Sequence, residues 1–188
     1  MKTADVDILM IPGWTGAGPD HWQSRWIKGL KTARLVDQTD WETPLIGDWV
    51  ANIVAAVETA TRPVLLVAHS CGVSAVVHAA PKLSPGRVIG ALLVAAPDLD
   101  GSDIWPATSG GFAPVPTHRL PFSAVLIASN TDPYCPIDRA TTFANDWGAT
   151  LVNAGDVGHI NTASGHGPWP DGALRLGTFL RQISLARA

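Results

Sequence analysis

Four β-favouring apolar residues, Val64, Leu65, Leu66 and Val67, run without a polar interruption and stop abruptly at Ala68, His69, Ser70, Cys71 and Gly72. A stretch that is apolar at every position, not at every second one, belongs to a strand covered on both faces, as in a parallel sheet. The small residues that follow, and the apolar stretch 71–80 after them, predict a sharp turn into a buried helix. At such a junction a serine hydroxyl can be lifted above the sheet as a nucleophile, and Ser70 is the candidate. The stretch departs from the G-x-S-x-G pattern at Ala68, where a methyl group stands in place of the first glycine. The rival reading is that Ser70 merely caps the helix, a role serine favours.

The rest of the chain repeats the alternation of strand and helix. Strands are predicted over 7–12, 33–37, 63–69, 88–96, 123–129 and 149–153, and helices over 19–30, 44–60, 71–83, 136–147 and 171–186. Trp22, Trp26, Ile27 and Leu30 share one helical face, as do Leu45, Ile46, Trp49, Val50, Ile53, Val54 and Val57. Strand and helix in strict alternation predict an α/β fold: a doubly wound, mostly parallel sheet of about six strands with helices on both faces. At 188 residues, 1–188 is expected to form a single domain with a core large enough to need no staple. The segment 97–121, rich in Gly, Pro, Ser and Asp, is too long for a plain connection and is expected to be a flap near the site.

Charge and cysteine usage exclude several function classes. A net charge of −3 with scattered lysines and arginines leaves no footprint for nucleic acid or an anionic membrane. No apolar run approaches the ~20 residues of a membrane helix. The start, Met1 to Asp7, resembles neither a signal nor a transit peptide, so a soluble, cytoplasmic protein is expected. Cys71 and Cys135 make no disulfide framework, and no Cys/His cluster has zinc-site spacing, so no metal is expected. The glycines at 13, 16 and 18 invite a dinucleotide reading, with Asp37 ending the next strand. Their order is G-x-x-G-x-G, however, not the G-x-G-x-x-G that lets backbone approach a pyrophosphate, and no cofactor is expected.

In open α/β sheets the working groups lie in loops beyond the carboxyl ends of the strands. The strand ending at Ser129 is followed by Asn130, Thr131 and Asp132, and the strand ending at Asn153 leads to Gly158 and His159. Serine, acid and histidine thus follow in the chain order that α/β-hydrolases use. A serine hydroxyl is a weak nucleophile at neutral pH and needs an imidazole to take its proton. The imidazole needs a carboxylate to set its tautomer and stabilise its charged form. Backbone N–H groups must meet the oxyanion, and Cys71 and Trp14 are the candidates. Asp98, Asp100 and Asp103 are rival acids and His166 a rival base. His21, Trp41, Trp105, Tyr134 and Trp169 fall in or beside loops on the same edge and are candidate pocket residues, the alternative being that the aromatics peg loops to the core.

Pro12, Gly13, Trp14, Thr15 and Gly16, His21 and Trp22, the stretch 68–72, Gly111 to Pro114, Ser129 to Tyr134, and Gly158 to Asn161 together resemble the small retinoblastoma-binding-protein-type serine hydrolases, also called YdeN-like. The resemblance runs over nearly the whole chain. It implies a minimal α/β-hydrolase without a large cap domain, in which Ser70, Asp132 and His159 match the family triad. Cys71 is flanked at two residues' distance by His69 and Val73, and Cys135 by Pro133 and Ile137. Neither fits L-x-C-x-E, and a retinoblastoma-type partner is not carried over. The expected activity is hydrolysis of small carboxylic esters or amides through an acyl-enzyme. The alternatives are a catalytically silent binding protein of the same fold and a dinucleotide-dependent enzyme.

Overall fold

The computed structural model describes residues 1–100 and 109–186. Six strands form one sheet: β1 (Asp7–Ile11), β2 (Ala33–Leu35), β3 (Val64–His69), β4 (Val88–Val94), β5 (Ser123–Ala128) and β6 (Thr150–Asn153). Their order is β2-β1-β3-β4-β5-β6, and every neighbouring pair is parallel. The helices are α1 (Trp22–Gly29), α2 (Ile46–Glu58), α3 (Cys71–Ala79), α4 (Ile137–Trp147) and α5 (Pro170–Ala186).

Side chains alternate across a strand, so each apolar run feeds two cores. Leu9, Ile11, Leu66, Ala68, Ala91 and Leu93 face α2, α3 and α4, where they meet Trp49, Ile53, Val73 and Phe143. Ile8, Met10, Leu65, Val67, Leu92 and Val94 face α1 and α5, meeting Trp22, Leu176, Phe179 and Ile183. This double coverage is why β3 from Val64 to Ala68 and all of β4 carry no polar residue. Gly90 on β4 leaves room for α5: a Cβ there would stand 2.6 Å from Ile183 Cδ1.

Chain order reverses direction in the sheet at β1, which has β2 on one side and β3 on the other. The crevice between the loops leaving β1 and β3 is therefore the topological switch point, where open α/β sheets bind ligands. Gln23 anchors the start of α1 beneath it by donating from Nε2 to the carbonyls of Ile11 (3.3 Å) and Val67 (3.1 Å).

Two expectations need correction. Helix α1 begins at Trp22, not at Pro19: His21 N–H closes a turn onto Gly18 O at 3.0 Å, and the His21 ring itself caps the helix. The segment 97–121 is not a flap throughout. Phe112, Val115 and Leu120 are buried in the core with α2 and α4, Ile46 N–H donates to Gly110 O, and Trp147 Nε1–H donates to Pro116 O at 2.8 Å. Apolar burial holds residues 109–121 against the sheet layer, and only Pro97, Asp98 and Leu99 of the segment's described residues line the cavity described below. Among the described residues no helix is long and apolar enough to cross a membrane.

Gly72 is a position where a side chain is not tolerated, because a Cβ there would run into the carbonyl oxygens of Ile11 and Pro12. Gly72→Ala is expected to lower stability by about 2–3 kcal/mol, the scale of an overpacked core, whereas Gly177→Ala in α5, with open space around it, should gain about 0.5–1 kcal/mol. Urea midpoints of the two variants check this.

Candidate active site

Strand β3 ends at His69, and Ser70 follows with φ 55° and ψ −129° before α3 begins. A serine in this sparsely populated region persists only where surrounding structure over-determines it. Here Ser70 N–H is held by Val94 O at 3.0 Å, and the β1 loop presses in so closely that a Cβ on Gly13 would lie 2.7 Å from Ser70 Cβ. Ala68, two residues earlier in β3, is fully buried and packs its methyl into the core shared with α2 and α3. The Ser70 hydroxyl makes no helix cap.

That hydroxyl lies 2.9 Å from His159 Nε2, and His159 Nδ1 lies 2.9 Å from both carboxylate oxygens of Asp132. A carboxylate only accepts, so Nδ1 carries the proton and Nε2 accepts from the serine. The side chains of His159 and Asp132 are 8% and 2% exposed, so the chain of three groups is largely shielded from water. Asp132 also accepts the N–H of Tyr134 at 3.0 Å. The loops are locked to one another: Ser129 Oγ donates to Gly155 O and accepts from Val157 N–H, while Gly158 N–H donates to Thr131 Oγ1.

Sequence reasoning left His69 without a role, and the structure gives it one. Its Nε2–H donates to the carbonyl of His159 at 2.9 Å, and the two rings lie 4.9 Å apart. Burial, with the neighbouring imidazoles of His159 and His21, holds His69 well below the ordinary histidine pKa, so it stays neutral. Trp22 Nε1–H takes the next carbonyl, Ile160 O, at 2.9 Å. The loop after β6 is thus fixed from two elements at once. Position alone, directly before the serine, was the signal in the sequence.

The rival groups are engaged elsewhere. Asp98 and Asp100 share Arg139, at 3.2 and 2.5 Å, and His166 Nδ1 pairs with Ser164 Oγ at 3.1 Å. Asp103 lies outside the described residues. Burial pushes the Cys71 thiol up to about 11, although the N–H of Trp14, the Ser70 hydroxyl and the N–H of Cys71 itself all favour its thiolate. Trp14 and Cys71 both line the cavity beside Ser70. Burial first, then the nearby Asp132 and Asp98 charges, push Cys135 up to about 12. Neither thiol ionises near neutrality.

The cavity over Ser70 has a volume of about 630 Å³. His21, Trp14 and Tyr134 line it, together with Leu99 and Thr162, which the sequence reading passed over. Trp41 and Trp169, expected there, are elsewhere. Trp41 packs edge-on against Trp49 with Gly16 under its ring, and Trp169 is 7% exposed in a cluster with Trp22 and Trp26. Both rings pack against aromatic side chains of the core and peg their loops. Trp105 lies outside the described residues. The 13–18 loop leans on Ser70, and α1 starts too far along the chain for that loop to present a helix N-terminus to a pyrophosphate. Among the described residues no group of three His, Cys, Asp or Glu side chains has the arrangement of a metal site.

A six-stranded parallel sheet covered on both sides, with a strained serine turn at its switch point and no cap, is the α/β-hydrolase fold in a minimal form. The model of the serine hydrolase family matches residues 8–178, and the chain belongs to that family. Among solved structures it is similar to a YdeN-like hydrolase from Pectobacterium atrosepticum, at 27% identity and a TM-score of 0.84, covering 96% of this chain and 94% of that one. The ydeN gene product of B. subtilis shares the fold at 19% identity and a TM-score of 0.73, covering 94% and 99%. Esterase 2 of Thermogutta terrifontis does so at 14% and 0.66, covering 97% and 86%. No curated protein matches the chain. The protein is a serine hydrolase similar to YdeN-like hydrolases, in line with the sequence resemblance.

Replacing His69 by Phe keeps the buried volume but leaves the His159 carbonyl without its donor. We expect kcat/KM on an activated ester to fall about tenfold with KM nearly unchanged, the scale of one lost buried hydrogen bond, and His69→Gln to recover part of the loss. Steady-state kinetics beside thermal melts of both variants check this.

Proposed function

We propose that the protein hydrolyses small carboxylic esters or amides through an acyl-enzyme on Ser70, with His159 as general base and Asp132 orienting it. The observation that carries this reading is the unbroken hydrogen-bonded chain from Ser70 Oγ through His159 to Asp132, with every link at 2.9 Å. His159 Nε2 takes the hydroxyl proton as Oγ attacks the substrate carbonyl, and Asp132 stabilises the imidazolium. The oxyanion is met by the N–H groups of Trp14 and Cys71, each such donor contributing about 10²–10³ in rate. Collapse expels the alcohol or amine, which receives the proton from His159. Water then repeats the sequence on the acyl-enzyme and frees the acid.

A substrate of modest size is supported by the cavity, whose volume suits a ligand of a few tens of heavy atoms at most. Every proton and electron pair in the scheme comes from the chain, the substrate or water. A silent binding protein would have no use for a serine held at a positive φ by three neighbouring segments, so the catalytic reading is preferred. The esterase named among the structural neighbours agrees with ester chemistry.

Incubation with a fluorophosphonate, read by intact-mass and peptide mass spectrometry, is expected to give one adduct, on Ser70. Ser70→Ala should give none, and His159→Ala and Asp132→Asn should label slower by about 10³-fold or more. A folded wild-type chain that takes up no label would overturn the reading.

A further inference from the structure

His21 is buried, 7% exposed, yet it lines the cavity beside Ser70 and His159. Its Nδ1 accepts the N–H of Gln23 at 3.3 Å as the cap of α1, so in the neutral ring the proton sits on Nε2. Nε2–H has no acceptor among the described residues. The His21 ring lines the cavity over Ser70 together with His69 and His159. Burial and the nearby His159 lower the His21 pKa to about 4, and the ring remains an uncharged donor through the neutral range.

The cavity lining mixes polar and apolar side chains. Trp22 ties the loop after β6 alongside α1 by its bond to Ile160 O, which brings Thr162 onto the same side as His21. Leu99, Pro133 and the ring of Tyr134, which lies 4.6 Å from the His159 ring, give the apolar part of the lining. No lysine or arginine lines the cavity, and residues 101–108 include none in sequence. Among the described lining residues the one carboxylate is Asp98, and it is paired with Arg139. None of the described lining residues compensates a charged substrate arm.

Resting on the hydrolase reading above, we propose that His21 is a substrate-binding residue whose Nε2–H holds an uncharged oxygen acceptor on one arm of the substrate. That acceptor is a hydroxyl, ether or second carbonyl oxygen, and the substrate's other arm lies against the apolar wall of Leu99 and Tyr134. The favoured class is a neutral oxygen-bearing ester, not a plain alkyl ester and not an acid.

Two near-isosteric comparisons test this: propyl butyrate against 2-hydroxyethyl butyrate, which places the acceptor on the alcohol arm, and propyl butyrate against propyl methoxyacetate, which places it on the acyl arm. Rates are normalised to alkaline hydrolysis of each ester. The wild type is expected to favour the acceptor-bearing member of one pair about tenfold in kcat/KM, the scale of one neutral hydrogen bond. His21→Asn keeps an oxygen to cap α1 but withdraws the donor at the Nε2 position. It should bring that preference within about twofold of unity, chiefly through a raised KM on the acceptor-bearing member of the pair. Equal ratios in wild type and variant for both pairs, or a uniform fall in kcat on all esters, would overturn the assignment. A wild-type chain that fails to label at all defeats the hydrolase reading itself and takes this proposal with it.

Discussion

The structure depends on one backbone conformation, the turn at Ser70. A residue at φ 55° and ψ −129° costs on the order of 1–3 kcal/mol, and three neighbours make it the best arrangement available. Strand β3 is paired on both sides up to its last residues, α3 is buried along nearly its whole length, and the β1 loop approaches to the limit that Gly13 and Gly72 permit. The strand cannot lengthen and the helix cannot slide. The chain turns in a single residue, and the side chain at that residue faces the crevice.

The second constraint is the loop after β6, which must reach from the far edge of the sheet back to Ser70. Ile160 sits at φ 49° and Gly158 at φ 63°, and the carbonyls at 159 and 160 are taken by His69 and Trp22. One donor lies on the strand that carries the serine and the other on the helix that caps the switch point. Base, nucleophile and cavity wall are therefore parts of one hydrogen-bonded unit. The imidazoles of His21 and His69 belong to it as neutral groups, because burial beside His159 makes a second charge too costly.

Much of this was readable in the linear chain. Continuous apolar runs mark strands covered twice, and the period of α2 marks its buried face, so element order and sheet type followed from pattern alone. Ser70, Asp132 and His159 stood out because each falls just past a strand. The aromatic residues were harder. Trp41 and Trp169 sit in loops on the right edge, yet a loop position says nothing about which way a large ring turns, and both turned to the core. Phe112, Val115 and Leu120 were hidden in a stretch whose Gly and Pro content reads as a loop. Three well-spaced apolar side chains suffice to bury it without any regular period.

The sequence by itself determined the alternation of elements, the two-sided burial of the central strands and the set of residues able to do acyl chemistry, because these depend on local periodicity and on chemical type. Only the tertiary structure decided which of those residues meet. The distance between Ser70 and His159 is set by how a four-residue edge strand, a glycine turn and two buried donors combine, and Asp98 and Asp100 drop out because Arg139 on a separate helix reaches them first. Contacts between elements far apart in the chain are products of packing, and no local pattern records them.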